Sequence, residues 1–236
     1  MPKQDKINNK SKKEKVNTKE FNKGKQQWAD HLTEKAKHDN YPARSVYKLM
    51  EIQKKFNILK KGDNILDLGC APGSWLLYAS QLIRVDKKIA IELDNIAVIG
   101  LGLDKGIAIG VDLQKVEIKL PSNAQAVQGN ILNLNDLTVP NIVKKYDVVL
   151  SDMAPSTTGR KDVDAARSFE LCEAALKVTC EWLTTGGNFV CKIFQGAEFK
   201  QFEQNVKTKF KQTSVFKPES CRSSSKEIYI IGKGKI

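Results

Sequence analysis

Residues 65–75 read ILDLGCAPGSW, the strongest local signal in the chain. Its first four residues are typical of a short buried strand, and Gly69 then permits a tight turn. Gly73 precedes the helix-like SWLLYASQLI, so the segment predicts strand, turn and helix. Asp67 stands near the carboxyl end of the strand, where open α/β sheets bind ligands. The glycine spacing is GxxxG and no GK[ST] follows, which excludes a dinucleotide fingerprint and a phosphate-binding loop.

Strand-like and helix-like segments alternate outward from this turn. The predicted helices cover 44–57, 163–183 and 198–210, and the predicted strands cover 64–70, 107–113, 125–130, 146–152, 188–194, 213–218 and 227–232. This alternation predicts an α/β fold, with helices on both faces of a mostly parallel seven-stranded sheet. The serine-rich turn 218–225 favours an antiparallel pair of strands at one edge. Gly186 and Gly187 are expected to stop the long second helix.

One segment is longer than this pattern needs. Between Trp75 and Asp112 lie 36 residues, more than a helix and a loop require. Residues 87–100, KKIAIELDNIAVIG, favour an additional strand or hairpin.

The charge is strongly positive and unevenly placed. Residues 1–27 hold nine lysines and three acids, which is +6 and half of the chain's net +12. Such a composition cannot bury enough apolar surface to offset the entropy of ordering, so we expect a disordered basic tail over 1–27 and one folded domain over 28–236. A solubilising tail or a cloning remnant is the alternative reading of 1–27.

The composition also restricts partners and compartment. A pI near 9.4 favours polyanions such as nucleic acid, with an anionic membrane surface as the competing partner. No run approaches the length of a spanning helix, and the N-terminus lacks an apolar signal core. The five cysteines contain no CxxC pair. We therefore expect a soluble, cytoplasmic protein.

Four polar residues stand where their surroundings make a polar side chain costly or conspicuous. Lys48 lies in YPARSVYKLMEI, Asp152 ends YDVVLSD, Lys192 interrupts NFVCKIF, and Glu227 opens EIYIIG. A lysine in a buried strand is costly unless it is paired or its pKa falls. Two lysines and two acids that converge would suit removal of a proton. Taken singly, Lys48 and Glu227 could be ordinary surface charges.

The turn DLGCAPG resembles motif I of S-adenosyl-L-methionine (SAM)-dependent methyltransferases, which implies SAM as the methyl donor. Gly73 would let the ligand approach the backbone, and Trp75 would offer an aromatic wall. An acid at the end of the second strand should bind the ribose hydroxyls. Asp112 is our first choice, and Glu92 or Asp94 is the alternative. Asn130 ends the next strand and would lie beside the adenine.

Six motifs together resemble the FtsJ/RrmJ-type ribose 2′-O-methyltransferases. In chain order they are YPARSVYKLMEI, DLGCAPGSW, IGVDL, VVLSDMAP, GGNFVCKIFQG and CRSSSKEIYIIG, spanning about residues 25–233. The resemblance implies a single Rossmann-like SAM-dependent methyltransferase domain. It places a catalytic tetrad on Lys48, Asp152, Lys192 and Glu227, and SAM contacts on Gly73, Trp75, Asp112, Asn130 and Asp152. Asn130 departs from the aspartate expected there, and no metal is expected.

The chemistry agrees with this resemblance. A ribose hydroxyl is a poor nucleophile, so methyl transfer benefits from removal of its proton and from in-line placement. A lysine must lose its own proton first, and burial or a neighbouring ammonium favours that loss. Lys192 is therefore assigned as the proton acceptor. Asp152 would position it, and Lys48 with Glu227 would set the charge around it.

The expected substrate is a uridine of large-subunit (23S-type) rRNA, in the A-loop, methylated by a monomer during ribosome assembly. The partner would be rRNA or the large ribosomal subunit. A tRNA or cap 2′-O-methyltransferase is an alternative, and so is a non-catalytic RNA-binding assembly factor. Arg44 and Arg222 are the best candidates for phosphate contacts; the wider set adds Lys54, Lys55, Lys60 and Lys226.

Overall fold

The protein is represented by a computed structural model that describes residues 31–85, 88–93, 96–101, 106–131, 145–222 and 224–236. Only the backbone is described within 88–93 and 96–101. The predicted basic tail, 1–27, lies outside the described residues, so its state stays a prediction.

A mixed β-sheet forms the centre of the molecule. The strands in chain order are β1 Ile65–Leu68, β2 Lys88–Leu93, β3 Ile96–Leu101, β4 Ala108–Asp112, β5 Ala124–Gln128, β6 Tyr146–Ser151, β7 Leu183–Phe194, β8 Phe210–Phe216 and β9 Glu227–Lys235. Seven of them form one sheet in the order β5-β4-β1-β6-β7-β9-β8. The first five strands of that order, β5 to β7, are parallel to one another, whereas β9 is antiparallel to both β7 and β8. The predicted α/β sheet is confirmed, with β8 outermost and the reversed strand β9 second from the edge.

Five helices accompany this sheet in the described residues: α1 at 31–38, α2 Val46–Phe56, α3 Ser74–Ile83, α4 Lys161–Trp182 and α5 Phe199–Lys207. The glycine pair does not stop α4 as predicted. The backbone of Leu183 is already extended, and β7 begins there. Gly187 instead belongs to the start of the strand, where a Cβ would meet Leu183 Cδ1 at 2.7 Å. None of the helices in the described part of the chain combines the length and apolarity needed to cross a membrane.

Both faces of the sheet are covered, as predicted. Alternate strand residues point to opposite faces, so Val148 and Leu150 of β6 pack with helices α2 and α3. Val149, between them, packs with α4 and α5. Helix α2 is fixed on its face by Leu49 and Ile52, both fully buried. This packing sets the position of the polar residues that α2 carries.

The long segment before β4 forms a separate hairpin. Strands β2 and β3 pair antiparallel from Lys88–Leu101 to Leu93–Ile96, apart from the seven-stranded sheet. The additional hairpin predicted over 87–100 is therefore present. Strand β4, not β2, lies beside β1.

Candidate active site

Helix α2 and strand β9 bring together the first and last of the four polar residues. Lys48 Nζ lies 2.7 Å from Glu227 Oε1, and the two side chains are only 12% and 13% exposed. Burial lowers the pKa of Lys48, but the carboxylates of Asp152 and Glu227 outweigh it, so the pKa lies above its ordinary value. Burial raises the pKa of Glu227, but Lys48 outweighs it and the net shift is downward. Both groups are therefore held in their charged forms.

Strands β6 and β7 bring together the other two. Lys192 Nζ lies 3.1 Å from Asp152 Oδ1 and also donates to the Asp152 main-chain oxygen. The hydroxyl of Tyr229 donates to the same Oδ1 at 2.7 Å. Burial raises the pKa of Asp152, yet Lys192 and Lys48 outweigh it and hold that pKa below its usual range. Asp152 thus links Lys192 to the rest of the cluster.

The register of the sheet explains why these side chains meet. Ser151 pairs with Cys191, so Asp152 follows β6 level with Lys192 on β7. Lys192 in turn pairs with Tyr229 on the antiparallel β9. Glu227 lies two residues before Tyr229 and so points to the same face. Three adjacent strands and α2 therefore gather all four predicted residues in one place.

Each lysine of this cluster lies against a carboxylate, as the expected balance of charges requires. Sequence reasoning missed Tyr229, which holds Asp152. Its spacing from Glu227 in a strand was the signal that could have found it.

A cavity of about 540 Å³ opens beside the cluster at the carboxyl ends of β4, β5 and β6. The predicted cofactor residues Asp112, Asn130 and Asp152 are in its wall. Leu113, which is 68% exposed, and Ile131 add apolar surface that the sequence did not single out. Among the described residues, no group of three His, Cys, Asp or Glu is placed to hold a metal ion.

Asp112 is the acid at the sheet edge. Its Oδ2 accepts a hydrogen bond from Ala71 N at 2.9 Å, and its Oδ1 accepts one from Gln114 N at 2.8 Å. These bonds fix the carboxylate between the glycine turn and the cavity. The alternative Glu92 lies on β2 in the separate hairpin, and Asp94 lies outside the described residues.

Gly73 and Trp75 are the other two predicted cofactor contacts. Trp75 is 3% exposed, its ring N–H donates to Ser45 O at 2.8 Å, and its ring centre lies 5.8 Å from that of Tyr229. The ring therefore packs in the core behind the cluster, and a contact of Trp75 with a cofactor stays a prediction. Gly73 has φ +108°, and a Cβ there would meet Ile118 Cδ1 at 2.9 Å. The turn requires this glycine, whatever it does for a ligand.

Asp67 completes the acidic surroundings of the glycine turn. It is fully buried in β1, and neither carboxyl oxygen has a hydrogen-bond partner among the described groups. Burial raises its pKa, and Asp152 and Asp112 raise it further, to well above the ordinary value. The neutral acid is therefore favoured at this position.

The sequence model of the FtsJ-like methyltransferase family matches residues 41–235, which include the cluster and the cavity. The chain belongs to this family. The match begins after the basic tail and after α1, so it covers the sheet, α2 to α5 and the whole candidate site.

Individual relatives agree with the family match. The ribosomal RNA large subunit methyltransferase E of Desulforapulum autotrophicum is 57% identical over 211 residues, which cover 89% of this chain and 95% of that protein. The protein of the same name from Desulfatibacillum aliphaticivorans is 47% identical over 213 residues, covering 90% and 94%. Among solved structures, a Plasmodium falciparum protein assigned as a ribosomal RNA methyltransferase superposes with a TM-score of 0.62 at 28% identity, covering 83% of this chain and 98% of that one.

Proposed function

We propose that this protein is a SAM-dependent 2′-O-ribose methyltransferase that modifies a uridine in the A-loop of large-subunit rRNA during ribosome assembly. The observation that carries the proposal is the convergence of Lys48, Asp152, Lys192 and Glu227 beside a cavity at the carboxyl edge of the sheet. The names of the relatives, ribosomal RNA large subunit methyltransferase E, support rRNA as the substrate. We further propose that it works as a monomer in the cytoplasm.

The residues around the cavity fit the proposed methyl donor. A volume of about 540 Å³ lies within the roughly 300–1,000 Å³ of small-molecule sites. Asp112 would accept hydrogen bonds from the ribose hydroxyls, and Asn130 would bond the adenine edge, with Leu113 as apolar cover. When bound, SAM supplies an electrophilic methyl group carried on a sulfonium. A neutral Asp67 limits the negative charge near that cation, whose charge is lost during transfer.

Lys192 is proposed to accept the proton of the ribose 2′-hydroxyl. Asp152 lines the cavity, so the amine bonded to it stands at the cavity edge. The Lys192 amine must first give its own proton to water. In its neutral form it would then accept the proton of the 2′-hydroxyl, which leaves the ribose oxygen as the nucleophile for the methyl group that bound SAM would supply.

Lys48 is proposed to balance charge and not to act as a base. Its raised pKa keeps it an ammonium at neutral pH, paired with Glu227 and attracted by Asp152. Asp152 has a different task, because it accepts bonds from both Lys192 and Tyr229 and so fixes the direction of the base. Such orientation matters because a catalytic group that is held in position accelerates a reaction far more than a mobile one does.

The test is transfer of labelled methyl groups from SAM to large ribosomal subunits, naked rRNA and tRNA. A 2′-O-methyl group blocks alkaline cleavage of the adjacent phosphodiester, so the modified nucleotide can be mapped. We expect one protected uridine in the A-loop of large-subunit rRNA. Methylation of a base, or of tRNA alone, would contradict the proposal.

Asn130 favours one other candidate, a non-catalytic RNA-binding assembly factor on the same scaffold. It stands in the cavity wall where the family resemblance leads us to expect an aspartate. Isothermal titration with SAM separates the two functions. A folded sample that does not bind SAM would support the assembly factor.

A further inference from the structure

Glu51 makes an unusual pair of contacts for a helix carboxylate beside the site. It lies one helical turn after Lys48 on α2, so the two side chains share a face. Its Oε2 accepts a hydrogen bond from Glu219 N at 2.6 Å, and its Oε1 accepts one from Ser220 N at 2.9 Å. The two carboxylate oxygens therefore bind two consecutive backbone N–H groups, one each. Both groups belong to residues 217–222, the turn that precedes β9.

The same turn is connected to Glu227. Cys221 is 5% exposed, and burial, followed by the interaction of the thiol with the Glu227 carboxylate, raises the pKa of the thiol. Lys48 then holds Glu227 from α2. Helix α2 therefore contacts this part of the chain at two points. Glu51 binds the 217–222 turn, and Lys48 binds Glu227 at the start of β9. A shift of the turn would disturb the Cys221 contact with Glu227.

The 217–222 turn carries two basic residues and one acid that face water. Lys217, Arg222 and Glu219 are exposed, and Lys217 Nζ donates a hydrogen bond to Ser225 O at 2.6 Å. Lys54 and Lys55 of α2 are exposed near the same edge, with Lys55 Nζ 4.3 Å from the centre of the Phe216 ring. Positive side chains on a fixed backbone suit phosphate contacts, which set the register of a nucleic acid on a protein.

We propose that Glu51 is a positioning residue that fixes the 217–222 turn against α2, so that Arg222 and Lys217 meet RNA phosphates beside the tetrad. The proposal rests on the proposed function, because it assumes an RNA substrate. Glu51 touches neither substrate nor cofactor in this role. Its effect should therefore fall on RNA recognition and leave SAM binding intact.

The experiment compares Glu51→Ala and Glu51→Gln with wild type and with Glu181→Ala. Glu181 is an exposed carboxylate near the C-terminal end of α4, close to the residue where β7 begins. The control therefore removes the same charge far from the turn. Three quantities are measured: SAM affinity by titration, kcat and KM for large-subunit rRNA, and equilibrium binding of that rRNA by anisotropy. A fourth is the rate at which iodoacetamide labels Cys221, followed by peptide mass spectrometry.

Glu51→Ala should raise the KM and the dissociation constant for rRNA about tenfold, because it removes two charge-assisted hydrogen bonds. SAM affinity should stay within about twofold of wild type, and Cys221 should be labelled faster as the turn loosens. Glu51→Gln keeps one acceptor oxygen, so its rRNA affinity and its rate of Cys221 labelling should lie between those of wild type and Glu51→Ala. Glu181→Ala should match wild type.

Unchanged rRNA binding and unchanged Cys221 labelling in Glu51→Ala would overturn the proposal. An equal loss of SAM affinity would also overturn it, since that would indicate general damage to the fold. Failure of the proposed function looks different. In that case wild type itself transfers no methyl group to rRNA, while the anisotropy and labelling still decide whether Glu51 fixes the turn.

Discussion

The candidate site is a balanced set of buried charges in which each lysine lies against a carboxylate. Lys48 pairs with Glu227 at 2.7 Å, and Lys192 pairs with Asp152 at 3.1 Å. Buried ions are tolerated when paired, and removal of one partner leaves a costly charge behind. The pair of Lys48 and Glu227 therefore keeps both of its groups charged, because the pKa of Lys48 is raised and that of Glu227 is lowered.

Glu227→Gln tests this balance through its pH dependence. We expect the substitution to lower the free energy of unfolding by roughly 3 kcal/mol at neutral pH, because Lys48 loses its partner. The pKa of folded Glu227 lies below 4.5, so the stabilisation is present above the unfolded-state value and is lost as pH falls through the folded-state value. The difference between variant and wild type should thus shrink below about pH 4.

Urea unfolding between about pH 3 and about pH 8 measures this difference. Glu181→Gln, which neutralises an exposed carboxylate, serves as the control. A difference that stays constant down to the lowest pH would show that the ion pair is not its source.

For individual residues, the sequence predicted the four polar residues of the cluster but missed the residues that contact or support them from distant parts of the chain. Each of the four lies in its own motif, so a local pattern was enough to find it. Tyr229 bonds Asp152 across 77 positions of the chain, and Glu51 reaches Ser220 across 169. Contacts of that kind depend on the strand register and on helix docking, which no local pattern contains.

Among the structural elements, the turn between β1 and α3 sets the shape of the cavity. Gly69 has φ +76°, and a Cβ there would lie 2.4 Å from Met153 Cγ. Met153 follows Asp152 and lines the cavity with Gly69. The glycine is therefore required both by its backbone and by the residue packed on it.

Gly69→Ala should destabilise the protein by about 3 kcal/mol, because strain at positive φ adds to the clash with Met153. We also expect weaker SAM binding, since relief of the clash moves Met153 in the cavity wall. Gly186→Ala is a matched control: φ is +85°, yet nothing lies within 4 Å of its Cβ position. Gly186→Ala should lower the free energy of unfolding by only about 1 kcal/mol and leave SAM affinity unchanged.

Urea unfolding and SAM titration of both variants measure the two effects. Equal destabilisation by the two substitutions would mean that backbone strain alone explains Gly69. Unchanged SAM affinity in Gly69→Ala would separate the turn from the cavity.

The elements themselves were largely predictable, because hydrophobic alternation identifies strands and helices locally. One boundary and the surroundings of one residue were not predictable in this way. The end of α4 precedes the glycine pair because pairing of Leu183 with Tyr146 already extends the chain there. The surroundings of Trp75 depend on Ser45 and Tyr229, which come from distant segments.

Over the whole molecule, positive charge is divided between the domain and the segment before it. Residues 1–27 carry +6 of the net +12. Neutralisation of phosphates releases counterions, so RNA affinity should fall steeply with salt, and each contact contributes to the slope.

Deletion of residues 1–27 should weaken rRNA binding at low salt and make the slope of log affinity against log salt shallower. SAM affinity should not change, because the family match begins at residue 41. Anisotropy titrations of rRNA at several salt concentrations measure the slope for both proteins. An unchanged slope would mean that the tail makes no phosphate contacts.

The Lys192→Ala variant, assayed for SAM binding and for methyl transfer on the same preparation, tests the proposed role of Lys192 as the base. Lys192 contacts Asp152, whereas Asp112 and Asn130 lie elsewhere in the cavity wall. We predict SAM affinity close to wild type, which also reports a folded site, together with loss of transfer by a factor of about 10² or more. Transfer at the wild-type rate would contradict the assignment of Lys192 as the proton acceptor.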